Sequence, residues 1–163
     1  MMAVMRRAIP LLYIFLLAGT LQATFARSVT LIWTATASSG LVTLAYGSPN
    51  PMKNPLFMLS CFNDMNIAVL DVHKDIAGAE RGKALTIDLA AGDAKASIEG
   101  EATRDDTAGI TFGEASDITL APILAVLRET GPVTLNMGET SATLEDHGRA
   151  DALAQFVKDC QVK

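Results

Sequence analysis

The sequence predicts a mainly β fold: an antiparallel β-sandwich or partly open barrel with one short crossing helix and a C-terminal helix. Short segments rich in Val, Thr, Leu and aromatic residues alternate with turns containing Gly, Asn or Asp through most of the chain. Apolar residues recur at helical spacing in only two later segments. The two cysteines of the chain lie far apart, so a single cross-link could close the fold.

Residues 1–26 are predicted to be a cleavable signal peptide. Arg6 and Arg7 precede an apolar stretch over residues 9–21, and the small-residue site Thr24-Phe25-Ala26 follows. This apolar stretch is shorter than the roughly 20 residues that a membrane-spanning helix requires. Cleavage leaves residues 27–163 as a single β-rich domain, located in the periplasm or secreted, with no stable membrane insertion.

The charge of the chain argues against nucleic acid as a partner. The formal net charge is −5, and the predicted leader carries two of the thirteen Lys and Arg residues and no acidic residue. The mature chain therefore has a net charge of −7 (11 − 18). An acidic surface without a cluster of Lys and Arg repels a phosphate backbone, so we expect no nucleic-acid binding.

Four strands are predicted in the first half of the mature chain. Residues 29–36 and 41–46 form two strands around the turn Ser38-Ser39-Gly40. Two more strands, within 56–62 and 65–73, flank a turn at Asn63-Asp64.

The segment between these strand pairs, "SPNPMKNP", has three prolines in eight residues and is predicted to be an irregular loop. Loops of this kind often carry binding residues. The predicted binding loop consists of Ser48, Pro49, Asn50, Pro51, Lys53 and Asn54.

The second half continues the β-meander and adds both helices. The predicted strands are residues 84–89, 95–102 and 110–112, followed by two short strands on either side of Gly138-Glu139. Between them, "APILAVLRETGP" predicts a short helix that Gly131-Pro132 ends.

The tail "EDHGRADALAQFVKDC" is predicted to be the C-terminal helix. Leu153, Phe156, Val157 and Cys160 are spaced to share one buried face. Asp146 is predicted to cap its N-terminus.

Cys61 and Cys160 are predicted to form a disulfide. Both lie in the exported part of the chain, and a lone pair of cysteines in an oxidising compartment usually becomes oxidised. The bond would fasten the terminal helix to the sheet. The alternative is a free Cys61 acting as a nucleophile, activated by His73 or His147.

No catalytic motif and no cofactor site are predicted. Asp71, His73 and Asp75 alternate, so on a strand they would share one face and could bind zinc, with His147 as a further ligand. Because a one-sided strand has polar residues on its outer face in any case, we interpret the three as a solvated face.

The order of the parts resembles that of a group of small exported bacterial proteins. It comprises a leader, the strand "LIWTA", the strand "PLFMLSC", a β-meander, "APILAVLRETGPVTLNMG", and the helix "GRADALAQFVKDC". This layout resembles the VasI-like accessory proteins of type VI secretion and, more loosely, the invasion-associated locus B proteins. The resemblance implies an exported, disulfide-closed, non-enzymatic β-rich domain.

The predicted function is that of an exported, non-enzymatic binding or accessory module of the bacterial envelope. Its expected partner is another envelope or secreted protein, bound through the loop or an exposed sheet edge. Two alternatives remain open. One is a small metal- or cysteine-dependent hydrolase that uses Asp71, His73 and Asp75, or Cys61. The other is a secreted inhibitor of another enzyme.

Overall fold

A computed structural model describes residues 29–49 and 55–162, and in them the chain forms nine strands and two helices. In chain order the elements are β1 Ile32–Ser38, β2 Leu41–Gly47, β3 Phe57–Phe62, β4 Ile67–Val72, β5 Ala84–Ala91, β6 Ala94–Asp105, β7 Ile110–Ser116, α1 Leu120–Arg128, β8 Val133–Met137, β9 Thr140–Leu144 and α2 Arg149–Asp159. The predicted leader, residues 1–26, lies outside the described residues.

All nine strands belong to one open antiparallel sheet, in the order β1-β2-β3-β4-β7-β6-β5-β8-β9. The mainly β prediction, with a short helix and a C-terminal helix, is therefore confirmed. The sheet curls so that its two ends approach each other. The indole Nε1 of Trp33, on β1, donates to the carbonyl oxygen of Glu145, just after β9, at 2.6 Å. The Glu145 N–H donates in turn to the Tyr46 hydroxyl of β2 at 3.2 Å.

The two helices cover different parts of the sheet. Helix α2 packs on β1 and β2, whereas α1 packs on β5 and β6, and the helices also touch each other. Their apolar faces join the sheet in one core, because an amphipathic helix must bury its apolar side against another element. The largest fully buried side chains are Phe57, Phe156, Leu44, Leu59, Leu70, Ile87, Leu89, Ile123, Leu127, Leu135, Met137 and Leu144.

The start of α2 differs from the prediction that Asp146 caps it. The helix begins at Arg149, and its N-cap is Gly148, which makes no side-chain cap bond. Gly148 has φ of +78°, a conformation that glycine adopts without steric cost. A β-carbon there would lie 3.4 Å from the Trp33 carbonyl oxygen, so this turn also packs closely on β1. Asp146 instead accepts the Arg149 N–H through its backbone carbonyl.

The apolar face of α2 is narrower than the sequence predicted. Leu153 and Phe156 are buried, as expected, but Val157 is 41% exposed. The buried face of α2 is formed by Arg149, Ala152, Leu153 and Phe156, so Val157 lies at its margin. Cys160 directly follows the helix as its C-cap.

The predicted disulfide between Cys61 and Cys160 is present, with the two Cα atoms 5.7 Å apart. It joins buried β3 to the end of α2. Asn63, in the turn after β3, reinforces the same junction: its side-chain amide donates to the Asp159 carbonyl at 3.0 Å, and its Oδ1 accepts the Gln161 N–H at 2.9 Å. Within the described residues, neither helix is long and apolar enough to cross a membrane.

Candidate functional site

The residues considered for metal binding are engaged in separate contacts. Strand β4 ends at Val72, so only Asp71 lies on it, and the alternation does not extend to His73 and Asp75. Nδ1 of His73 lies 3.1 Å from the carbonyl oxygen of Pro55, and its ring stacks on Phe112 with the centroids 4.4 Å apart. Because a carbonyl only accepts, Nδ1 carries the proton.

Asp75 and His147 also make separate contacts of their own. Asp75 Oδ1 accepts the Thr111 N–H of β7 at 3.0 Å. His147 is exposed in the segment before α2, and its backbone carbonyl accepts the Trp33 N–H. No group of three or more His, Cys, Asp or Glu side chains in the described parts of the chain is placed to hold a metal ion.

Asp71 nevertheless has an unusual environment. Burial and the carboxylate of Glu114, its partner on β7, raise the pKa of Asp71 from 3.8 to about 6, while His73 acts in the opposite direction. Since this pKa is raised by folding, the folded protein holds the proton more tightly than the unfolded chain. The stabilisation that comes from this proton on Asp71 is therefore fully present below about pH 4. It is lost as the pH rises through 6.

We therefore expect Asp71→Asn to raise the free energy of unfolding by about 1 kcal/mol near neutral pH, a value reduced for the partial exposure of this side chain. The gain should disappear as the pH falls towards 4, because the native carboxyl is then protonated. Urea denaturation at several pH values measures this difference. Glu139→Gln, in the exposed turn between β8 and β9, is the matched control and should show no such gain. If Asp71→Asn raised the free energy of unfolding equally at about pH 7 and at about pH 4, the raised pKa of Asp71 would be contradicted.

A concave surface lies between the two helices, which form a groove. A cavity of about 410 Å³ separates the end of α1 from the start of α2, a volume within the range of small-molecule sites. Its apolar lining comes from Leu127, Ala150, Leu153, Ala154 and Val157. We call this cavity and its continuation, described next, the helix groove.

The helix groove continues towards the other ends of the helices. A second cavity of about 280 Å³ lies between the start of α1 and the end of α2, lined by Leu120, Leu124, Phe156 and Val162, among others. Val157 lines both cavities, so they adjoin. The two helices therefore run in opposite directions along one elongated apolar depression.

Arg149 occupies one end of the helix groove and is only 3% exposed. Its Nη2 donates to the carbonyl oxygens of Glu129, at 2.5 Å, and Gly131, at 2.6 Å. These carbonyls follow the last turn of α1, where the helix dipole is negative and favours a cation. One function of Arg149 is therefore to fasten the start of α2 to the end of α1.

The other terminal nitrogen of the Arg149 guanidinium, Nη1, has no such partner. Nη1 is buried and makes no hydrogen bond in the described structure. The ion pairs found among the described residues, Lys83–Glu80 and Arg104–Asp106, do not include Arg149. Burial lowers the pKa of the Arg149 guanidinium, and the carboxylate of Asp146 acts in the opposite direction. A guanidinium in a protein nevertheless stays charged, so Arg149 is a buried, incompletely paired cation in the lining of a mainly apolar groove.

Two acidic side chains, Glu129 and Asp146, stand at the rim of the groove, and both are exposed. The Glu129 carboxylate lies towards Gly92 in the turn between β5 and β6, where a glycine β-carbon would be 3.0 Å from its Oε2. Water screens exposed charges far more than buried ones. The charges of Glu129 and Asp146 are therefore screened more strongly than the charge of Arg149.

The sequence patterns did not single out Arg149. One signal was available, because a cation at the first position of a helix is unfavourable to the dipole of that helix. Such a residue needs compensation elsewhere, and here the end of α1 supplies it. Of the predicted binding loop, Ser48 and Pro49 are described, whereas Asn50, Pro51, Lys53 and Asn54 lie outside the described residues. That prediction stays a prediction.

Comparison with known proteins gives no relative from which a function could be transferred. No family model matches the chain, and no curated protein or solved structure matches it significantly.

Proposed function

We propose that this protein is an exported module of the bacterial envelope that binds its ligand in the helix groove and catalyses no reaction. The observation that carries the proposal is the combination of an elongated apolar groove, open to solvent at Val157, with the buried and incompletely paired guanidinium of Arg149. Ligand sites typically combine a mainly apolar lining with a few placed polar groups.

Two features support export to the periplasm or the cell exterior. The first is the predicted leader, residues 1–26, with its basic, apolar and small-residue parts. The second is the Cys61–Cys160 disulfide, since such bonds persist mainly in oxidising compartments. A role beside other envelope proteins, as in the VasI-like and locus B-like proteins that the layout resembles, is compatible with this location.

The hydrolase alternative has less support than the binding module. Cys61 is bonded to Cys160, so it has no thiol with which to attack a substrate while that bond is intact. His73 and Asp75 are already engaged by Pro55 and Thr111. A binding role does not require Cys61, His73 or Asp75, because none of these three lines the helix groove.

The proposal is tested with anilinonaphthalenesulfonate, a fluorescent dye that combines apolar rings with one negative charge. Saturable fluorescence enhancement by the folded, oxidised protein is expected, and Val157→Glu should abolish it by placing a carboxylate in the middle of the groove. Met65→Glu is the matched control, because Met65 is also an exposed apolar residue, 60% exposed, but lies in the turn after β3. Equal dye binding by both variants would refute the groove as a binding surface.

Export is tested separately by the mass of the protein recovered from the periplasm. The expected species begins at Arg27 and is two mass units lighter than its reduced form, since a disulfide lacks two hydrogens. A full-length species retained in the cytoplasm would contradict export without bearing on the groove.

A further inference from the structure

We propose that the ligand of the helix groove is an amphiphilic monocarboxylate, a carboxylate carried on an unbranched apolar chain. This inference rests on the proposed function and adds the chemical class of the ligand. The carboxylate contacts Nη1 of Arg149, and the chain extends along the groove past Leu153 and Val157.

The case for a negatively charged head group comes from the guanidinium. Arg149 is 3% exposed, and its Nη2 is bonded to two neutral carbonyl oxygens, while Nη1 has no acceptor. An oxygen anion supplies the missing acceptor and a counter-charge, and hydrogen bonds between two charged groups are the stronger kind. A neutral head group would supply the acceptor alone.

The case for a single negative charge comes from the rim. Glu129 and Asp146 line the same end of the groove, and their carboxylates repel a second charge on the head group. Nη1 has no exposed surface of its own. Binding of the head group at Nη1 therefore requires a side-chain rearrangement at this end of the groove.

The case for an unbranched apolar chain comes from the shape of the groove. It is elongated, since Val157 belongs to both of the adjoining cavities. Beyond Arg149, aliphatic and aromatic side chains predominate along its length, with Leu153 near the head group and Leu124 and Phe156 further along. A slender chain can lie against all of these, and each buried methylene group strengthens binding by a factor of about four.

The test is calorimetric titration of the oxidised protein with decanoate below its micelle concentration, beside decanol and acetate. We expect decanoate to bind at least tenfold more tightly than decanol, acetate not to bind measurably, and octanoate to bind about 15-fold more weakly than decanoate. Arg149→Met should remove the preference for decanoate over decanol.

A second pair of variants keeps the proposal testable if Arg149→Met fails to fold. Ala150 is exposed on the first turn of α2 and lines the groove beside Arg149. Ala150→Glu should weaken decanoate binding at least tenfold, whereas Ala150→Gln, of the same size but neutral, should not. Decanol binding should change little in either variant.

The possible outcomes separate this inference from the proposed function. Equal binding of decanoate and decanol, both lost in Val157→Glu, would overturn the carboxylate and leave the groove as a binding surface. Acetate binding as tightly as decanoate would overturn the amphiphile. Absence of binding by decanoate, decanol and the dye alike would overturn both the ligand class and the groove.

Discussion

Removing the Cys61–Cys160 disulfide is expected to lower the free energy of unfolding by about 2–5 kcal/mol. The bond joins residues 99 apart in sequence, so it closes a loop that includes most of the domain and strongly restricts the unfolded chain. Urea denaturation of the double variant Cys61→Ala/Cys160→Ala, compared with the oxidised wild type, measures the loss.

The reduced wild-type protein is the control for this comparison, because it lacks the cross-link but keeps both side chains. Its stability should match that of the double variant within about 1 kcal/mol, since Cys→Ala removes little buried volume. The segment after Phe156 should open first in either protein, because the two hydrogen bonds of Asn63 then hold it without the cross-link. A change below about 1 kcal/mol in both proteins would contradict the structural importance of the bond.

Phe156→Ala is expected to lower the free energy of unfolding by about 3–5 kcal/mol. Phe156 is fully buried, and it is the main aromatic contact between α2 and the core. Its removal leaves a cavity that the surrounding sheet cannot fill, because β1 and β2 are held in place by the Trp33 and Tyr46 hydrogen bonds. Thermal and urea denaturation, both in the oxidised state, measure the effect.

Val157→Ala is the matched control for Phe156→Ala, since it truncates the next residue of the same helix. Val157 is 41% exposed, so we expect a loss of less than about 1 kcal/mol. Similar losses in the two variants would contradict the orientation of α2 on the sheet. This orientation also determines which residues face the helix groove.

The sequence predicted the strands well because local signals determine them. Turns at Gly40, at Asn63-Asp64 and at Gly138 separate segments of β-forming residues, and a hairpin pairs neighbours in sequence. The pairing of β4 with β7 and of β5 with β8 connects strands distant in sequence, and no local pattern specifies it. The curl of the sheet was also beyond local patterns, because it depends on Trp33 and Glu145 meeting across the molecule.

The candidate site shows the same division. The disulfide could be predicted from the number of cysteines and the leader, which are properties of the sequence alone. The helix groove could not, since it exists only where the end of α1 meets the start of α2. Asp146 was predicted to be the N-cap of α2 from its residue type. The N-cap is instead Gly148, which has a positive φ. Arg149, which had no predicted function, has the buried charge instead.

A nitrogen–proton NMR titration of the oxidised protein with decanoate tests whether the helix groove is the binding surface. We expect the largest amide shift changes along the groove, at Ala150, Ala154 and Val157, together with a change at the Arg149 side-chain resonances. Largest changes in the predicted loop, residues 48–55, or around Asp71 and His73 would contradict this expectation and would place the binding surface elsewhere on the molecule.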